Sequence, residues 1–171
     1  MGVAWLSPRS PFEWGTPEGA MEAGESSANT QSTTKPNESP TLVAEQEMQY
    51  GPGPDAFPQG VQFCFLHGAP DAAGAMFTVR LKAKQGYLFA PHSHPHDEHV
   101  TIVSGTMLLG NGARADRGAA RRMGPGSYAF LPKEQFHYAW AVDEVVFQVN
   151  AIGPFGITYA NPEDDPRGSV H

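Results

Sequence analysis

Four of the chain's seven histidines lie between Pro91 and His99, and imidazole is the commonest side-chain ligand for transition metals. His92 and His94 are separated by one residue, so in an extended segment their side chains point the same way. Glu98 opens Glu98-His99-Val100-Thr101-Ile102-Val103, in which Glu98, Val100 and Ile102 share a face. A carboxylate on the face of Val and Ile points inward, where its charge is costly without a compensating partner. A divalent cation held by the carboxylate and two neutral imidazoles supplies that compensation. His96 has the parity of His92 and His94, but Pro95 interrupts the strand there. His99 has the opposite parity and is expected to face outward or to support a ligand from behind. His67 and His171 carry no pattern.

The elements that must position these residues read as strands. Val61–Leu66 is the first, after a turn-rich Gly51–Pro54. Met76–Lys84 alternates cleanly, with Phe77, Val79, Leu81 and Ala83 on one face and Thr78, Arg80, Lys82 and Lys84 on the other. Gly86 breaks it before the histidine segment. Ser104-Gly105-Thr106 turns into a short strand around Met107, and Gly110–Arg122 is a polar loop. Its Arg114, Arg117, Arg121 and Arg122 suit a solvated loop face, or alternatively an anionic ligand. Gly124-Pro125-Gly126 leads into Ser127–Leu131, a second turn leads into Phe136–Trp140, and Val145–Ile152 is a long last strand followed by Gly153-Pro-Phe-Gly-Ile-Thr-Tyr159. Short strands separated by Gly/Pro turns, with no helical period after Thr41, predict an all-β sandwich or barrel.

Composition agrees. A chain of 171 residues with 40 % hydrophobic and 17 % charged residues, 19 Gly and 16 Pro suits one turn-rich β domain joined to a less ordered segment. Residues 1–45 are expected to be disordered because the run from Glu18 to Pro40 has almost nothing apolar to bury. Trp5, Phe12 and Trp14 are the exceptions, able to dock on a partner or on the domain, which takes residues 46–171. A net charge of −7 gives no case for a nucleic-acid footprint, and no apolar run is long enough to span a bilayer. No basic-then-apolar secretory leader is present. The single Cys64, an inert interior thiol between two Phe residues, suits a reducing compartment. A cytoplasmic location is the resulting expectation.

The histidine segment also has a familiar spacing: Gly86, five residues, His92-x-His94, three residues, Glu98, six residues, Gly105. This resembles the first motif of the cupin superfamily. Gly126, Pro132 and His137 fall at the intervals of the second motif. Glu134 stands where that family usually has Gly, and Ala141 where it often has Asn. Glu134 is expected to require a different turn, since Glu adopts positive φ only at a cost. The resemblance covers roughly residues 60 to 155 and extends to small single-domain bacterial cupins. It implies an RmlC-like jelly-roll β-barrel and His92, His94, Glu98 and His137 as ligands of one metal ion. Three imidazoles and one carboxylate suit Fe(II), with Mn, Ni, Zn or Cu as alternatives, and leave positions open on a six-coordinate ion.

Parity in the last strand suggests the remaining pocket. Gln148 and Asn150 share a face with Val146 and Ile152, so a ligand could satisfy their amides, as could neighbouring backbone. Arg80 could reach an anionic substrate or face solvent. Tyr128, Tyr138 and Trp140 could line the cavity or pack in the core or a dimer. The expected activity is that of an iron-dependent dioxygenase acting on a small organic molecule, in a homodimeric protein. A redox-neutral isomerase, lyase or hydrolase with Tyr128 or a pocket His as acid or base is the second enzymatic reading. A non-catalytic metal- or ligand-binding sensor is the third.

Overall fold

The computed structural model describes residues 39–168. Most of the segment expected to be disordered, including Trp5, Phe12 and Trp14, lies outside the described residues, as does His171. Eleven strands run in the order β1 Gly51–Pro52, β2 Val61–His67, β3 Met76–Ala83, β4 Leu88–Ser93, β5 Glu98–Ser104, β6 Met107–Asn111, β7 Arg121–Met123, β8 Tyr128–Leu131, β9 His137–Ala141, β10 Val145–Ile152 and β11 Thr158–Tyr159. They form two antiparallel sheets, one ordered β1-β2-β3-β10-β5-β8 and the other β11-β4-β9-β6-β7. The only helices among the described residues are three short 3-10 turns, and none is long and apolar enough to cross a membrane.

Alternation decides which side chains fill the space between the sheets. In β3 the buried residues are Phe77, Val79, Leu81 and Ala83, the set that period-two reading selects. In β5 they are Glu98, Val100 and Ile102. The inner faces meet through aromatic edges, as where Phe89 of β4 packs on Phe147 of β10 with ring centroids 5.5 Å apart. The result is the expected all-β jelly roll.

Two segments behave differently from their sequence reading. The polar loop after Asn111 contains strand β7 at its end, and its earlier part covers the outer face of β9. There the Tyr138 hydroxyl donates to the Asp116 carbonyl at 3.0 Å, and the Arg117 guanidinium lies 5.1 Å from the Trp140 ring centroid. Arg117 is thus engaged with an aromatic face rather than left as an anion site. Glu134 adopts φ = 62°, the left-handed turn a glycine would take. The expectation of a different turn is corrected: the position keeps the glycine-like turn despite its side chain. Two hydrogen bonds hold it, Glu134 N–H to the His94 carbonyl at 2.8 Å and Lys133 N–H to the Asp97 carboxylate at 2.8 Å. Together they fasten the β8–β9 turn to the histidine segment.

A non-glycine residue in this conformation costs about 1–2 kcal/mol, while glycine carries roughly 0.5–1 kcal/mol of extra chain entropy. Glu134→Gly is therefore expected to stabilise the protein by about 0.5–1 kcal/mol. Thermal denaturation should show the melting temperature rising by roughly 1–3 °C relative to wild type.

Candidate metal centre

β4 and β9 are neighbours in the five-stranded sheet, and their register places His92 directly across from His137. A register irregularity between Phe89 and His92 lets both of these β4 residues face inward. His94 follows at the strand's end. Pro95–Asp97 then carries the chain to the other sheet, where Glu98 begins β5 between Leu131 of β8 and Ala151 of β10. The site thus lies between the sheets, with His92 and His137 on one and a carboxylate on the other. All four side chains are buried.

The three imidazoles are close enough to share an ion. Their ring centroids are 4.4 to 5.3 Å apart, and one ligand atom from each lies within 4.8 Å of the others. Each Nδ1 faces a backbone carbonyl: His92 with Ala90 at 2.6 Å, His94 with Gly156 at 2.7 Å and His137 with Gln135 at 3.1 Å. A carbonyl only accepts, so each Nδ1 carries a proton and, in the neutral ring, Nε2 presents a lone pair. His94 is further fixed by stacking on Phe155, 4.2 Å between centroids at 20°. Oε2 of Glu98 lies 3.5 Å from His94 Nε2 and 3.3 Å from His137 Nε2. His137 Nε2 is buried and has no hydrogen-bond partner. With lone pairs on both the nitrogen and the oxygen, a proton or a cation must lie between them. The donors present therefore fit a metal ion.

The charge states point the same way. Burial, followed by the fields of His137 and His94, pushes His92 down to about 3 and holds it neutral. Burial also lowers His94. Burial opposes ionisation of Glu98, but its contact with His137 and the surrounding imidazoles outweighs that and holds the carboxyl at about 2. A neutral His92 and an ionised Glu98 are protonation states that suit metal ligation.

The residues expected around a substrate are not brought here. In β10 the inward residues are Val145, Phe147, Val149 and Ala151, so Gln148 and Asn150 face the opposite side of the sheet. There Gln148 accepts from Arg80 Nη2 at 2.8 Å, and Asn150 accepts from the Thr78 hydroxyl at 2.9 Å. Arg80 is therefore committed to an outer-face pair. Tyr128 is exposed on β8, with its hydroxyl 2.7 Å from Nδ1 of the likewise exposed His99. Tyr138 and Trp140 lie under the β6–β7 loop and do not line the cavity either. These assignments are corrected for one physical reason: Val146 and Ile152 share the polar residues' face, but that face is the outer one. The interior cavity, ≈ 110 Å³, is instead walled by residues such as Phe89, Val100, Met107, Phe147 and Phe155. The contribution of Pro154–Tyr159 had no signal in spacing or parity beyond glycines flanking an aromatic. Besides Phe155 and Gly156 against His94, Tyr159 lies 6.1 Å from His92 and donates its hydroxyl to the Ala56 carbonyl at 2.7 Å.

Against known proteins, the family model of the ChrR cupin-like domain matches residues 38–155, more than half of the chain. The chain belongs to this family. Among solved structures, this cupin is similar to the polyketide cyclase RemF from Streptomyces resistomycificus, with TM-score 0.61 and 19 % identity over 73 % of this chain and 88 % of that one. It is also similar to an acetylacetone dioxygenase from Acinetobacter johnsonii (TM-score 0.57, 20 % identity, 75 % and 81 % covered). KdgF from a Halomonas species matches with TM-score 0.52 and 22 % identity over 67 % and 94 %. At these identities the likeness is one of fold. No curated protein matches the chain.

The depressed groups set the acid stability of the metal-free cupin. His92 goes from 6.5 in the unfolded chain to about 3, and Glu98 from 4.5 to about 2. For both, the unfolded state binds more protons, so stability rises with pH across those windows and is lost as pH falls. With metal removed by a chelator, the melting temperature should drop steadily from pH 6.5 towards pH 4, the unfolding free energy falling by at most about 1.4 kcal/mol per pH unit for each proton. In His92→Gln this dependence should flatten.

Proposed function

We propose that this cupin holds one divalent ion with His92, His94, His137 and Glu98, and uses it to oxidise a small organic molecule as an iron-dependent dioxygenase. The observation that carries the reading is the buried His137 Nε2, which lacks a hydrogen-bond partner and lies 3.3 Å from the Glu98 carboxylate. The donor set suits Fe(II), while Mn, Ni, Zn or Cu would fit the same ligands. When bound, Fe(II) supplies the one-electron reactivity towards O2 that closed-shell organic molecules lack.

What the chain itself contributes is orientation and a dry chamber. Three backbone carbonyls fix the imidazole planes, so the donors are set before anything binds. The apolar walls exclude water and strengthen electrostatic interactions inside. Among the described residues lining the cavity, no Tyr, Lys, Ser or Thr is available for proton transfer, which leaves Glu98 and the imidazoles. Tyr128, the candidate acid or base for a redox-neutral reaction, lies outside on the sheet surface. A redox-neutral isomerase or lyase would then have to take its acid or base from the pocket imidazoles or Glu98, the groups assigned here to the metal. A sensor that binds metal without turnover would use the same donors, and an oxygen assay separates the two. The name of the Acinetobacter johnsonii protein makes acetylacetone the first compound to try.

His92→Ala and His137→Ala should each cut iron content to about a tenth or less of wild type by elemental analysis. Both should also lose the metal-dependent rise in melting temperature, since ligand at about a hundred times its Kd adds roughly 2.7 kcal/mol of stability. Unchanged metal content in both variants sinks the ligand assignment. The iron-loaded protein should consume O2 in the presence of substrate, with no turnover under nitrogen. Substrate loss without O2 would move the assignment to the redox-neutral reading.

A further inference from the structure

The chamber beside the four donors is lined by 21 residues, and only His92, His94, His137 and Glu98 among them are polar. The other seventeen are Phe, Pro, Leu, Val, Met or Ala. Pro54 and Phe65, the lining residues that are exposed, are apolar too. Neither Lys nor Arg lines the chamber, so any charge on a ligand must be met at the metal end. A divalent ion together with the Glu98 carboxylate leaves one net positive charge there. A single negative charge on the ligand neutralises it. A second one would be buried among hydrocarbon without a partner, an arrangement strongly disfavoured. Size is bounded as well. An apolar protein cavity of about 150 Å³ takes up benzene, so the ≈ 110 Å³ here suits a ligand no larger than benzene.

Resting on the metal reading above, we infer that the ligand of this site is a compact, otherwise apolar molecule no larger than benzene that turns one singly charged anionic oxygen group towards the metal. Dianions such as dicarboxylates and phosphate esters are excluded by charge, and sugars are excluded by the shortage of hydrogen-bonding partners on the walls.

The test uses the full chain loaded with cobalt(II), whose visible spectrum reports on ligands. Isobutyrate, malonate and 2-naphthoate are titrated in parallel. Isobutyrate should perturb the spectrum at a concentration at least tenfold lower than malonate, although malonate is the stronger cobalt chelator in free solution. It should also bind at least tenfold more tightly than 2-naphthoate. Malonate or 2-naphthoate binding as tightly as isobutyrate overturns the inference. Failure to take up cobalt counts against the metal reading, and the chamber is then judged by itself. In that case metal-free protein is titrated with benzene, following the methyl resonances of Val100 and Val149. Saturable shifts of both support a small apolar ligand, and their absence overturns it.

Discussion

Four polar side chains sit in an interior that is otherwise hydrocarbon, and the organisation of this cupin follows from that imbalance. A carboxylate and three imidazoles buried together would be a liability if each faced the others with lone pairs alone. A shared cation would turn the liability into a clamp. His92 and His137 belong to the five-stranded sheet and Glu98 to the six-stranded one, so whatever satisfies the donors also ties the sheets together. The binding free energy of such an ion adds to the stability of the folded state.

Holding these donors in place requires more than the strands that carry them. The Nδ1 atoms are held by the carbonyls of Ala90, Gly156 and Gln135, which come from three separate parts of the chain. The β8–β9 turn is fastened to the histidine segment through Glu134 and Lys133, at the cost of a left-handed glutamate. Strain next to a site of this kind is tolerable when surrounding hydrogen bonds over-determine the conformation. Tyr159, kept protonated by burial that pushes its pKa up to about 12, joins the segment beside His92 to the loop carrying Ala56.

The outer face of the six-stranded sheet absorbs polar residues that seemed available for chemistry. Arg80 with Gln148 and Thr78 with Asn150 form cross-strand pairs between β3 and β10. Such pairs stabilise a sheet, and they leave Glu98 and the three imidazoles as the only ionisable groups lining the cavity among the described residues.

Period-two alternation in β3 and β5 was enough to separate inward from outward residues, because one side chain per two positions faces a buried core whatever the partner strand is. The intervals around His92, His94, Glu98 and His137 likewise marked the residues that meet, since two hairpins of fixed length bring fixed positions together. Parity could not tell which face of β10 is the interior: Val146 and Ile152 are as apolar as Val145 and Val149, and only pairing with β3 and β5 decides. Nor could any local pattern place Phe155 and Gly156 against His94, because those contacts join positions about sixty residues apart. The sequence by itself determined the fold class and which four polar residues meet in the interior, both of which are written in local spacing. Tertiary structure alone decided the walls of the chamber and the Gly156 carbonyl that aims His94, because both are made of contacts between distant segments.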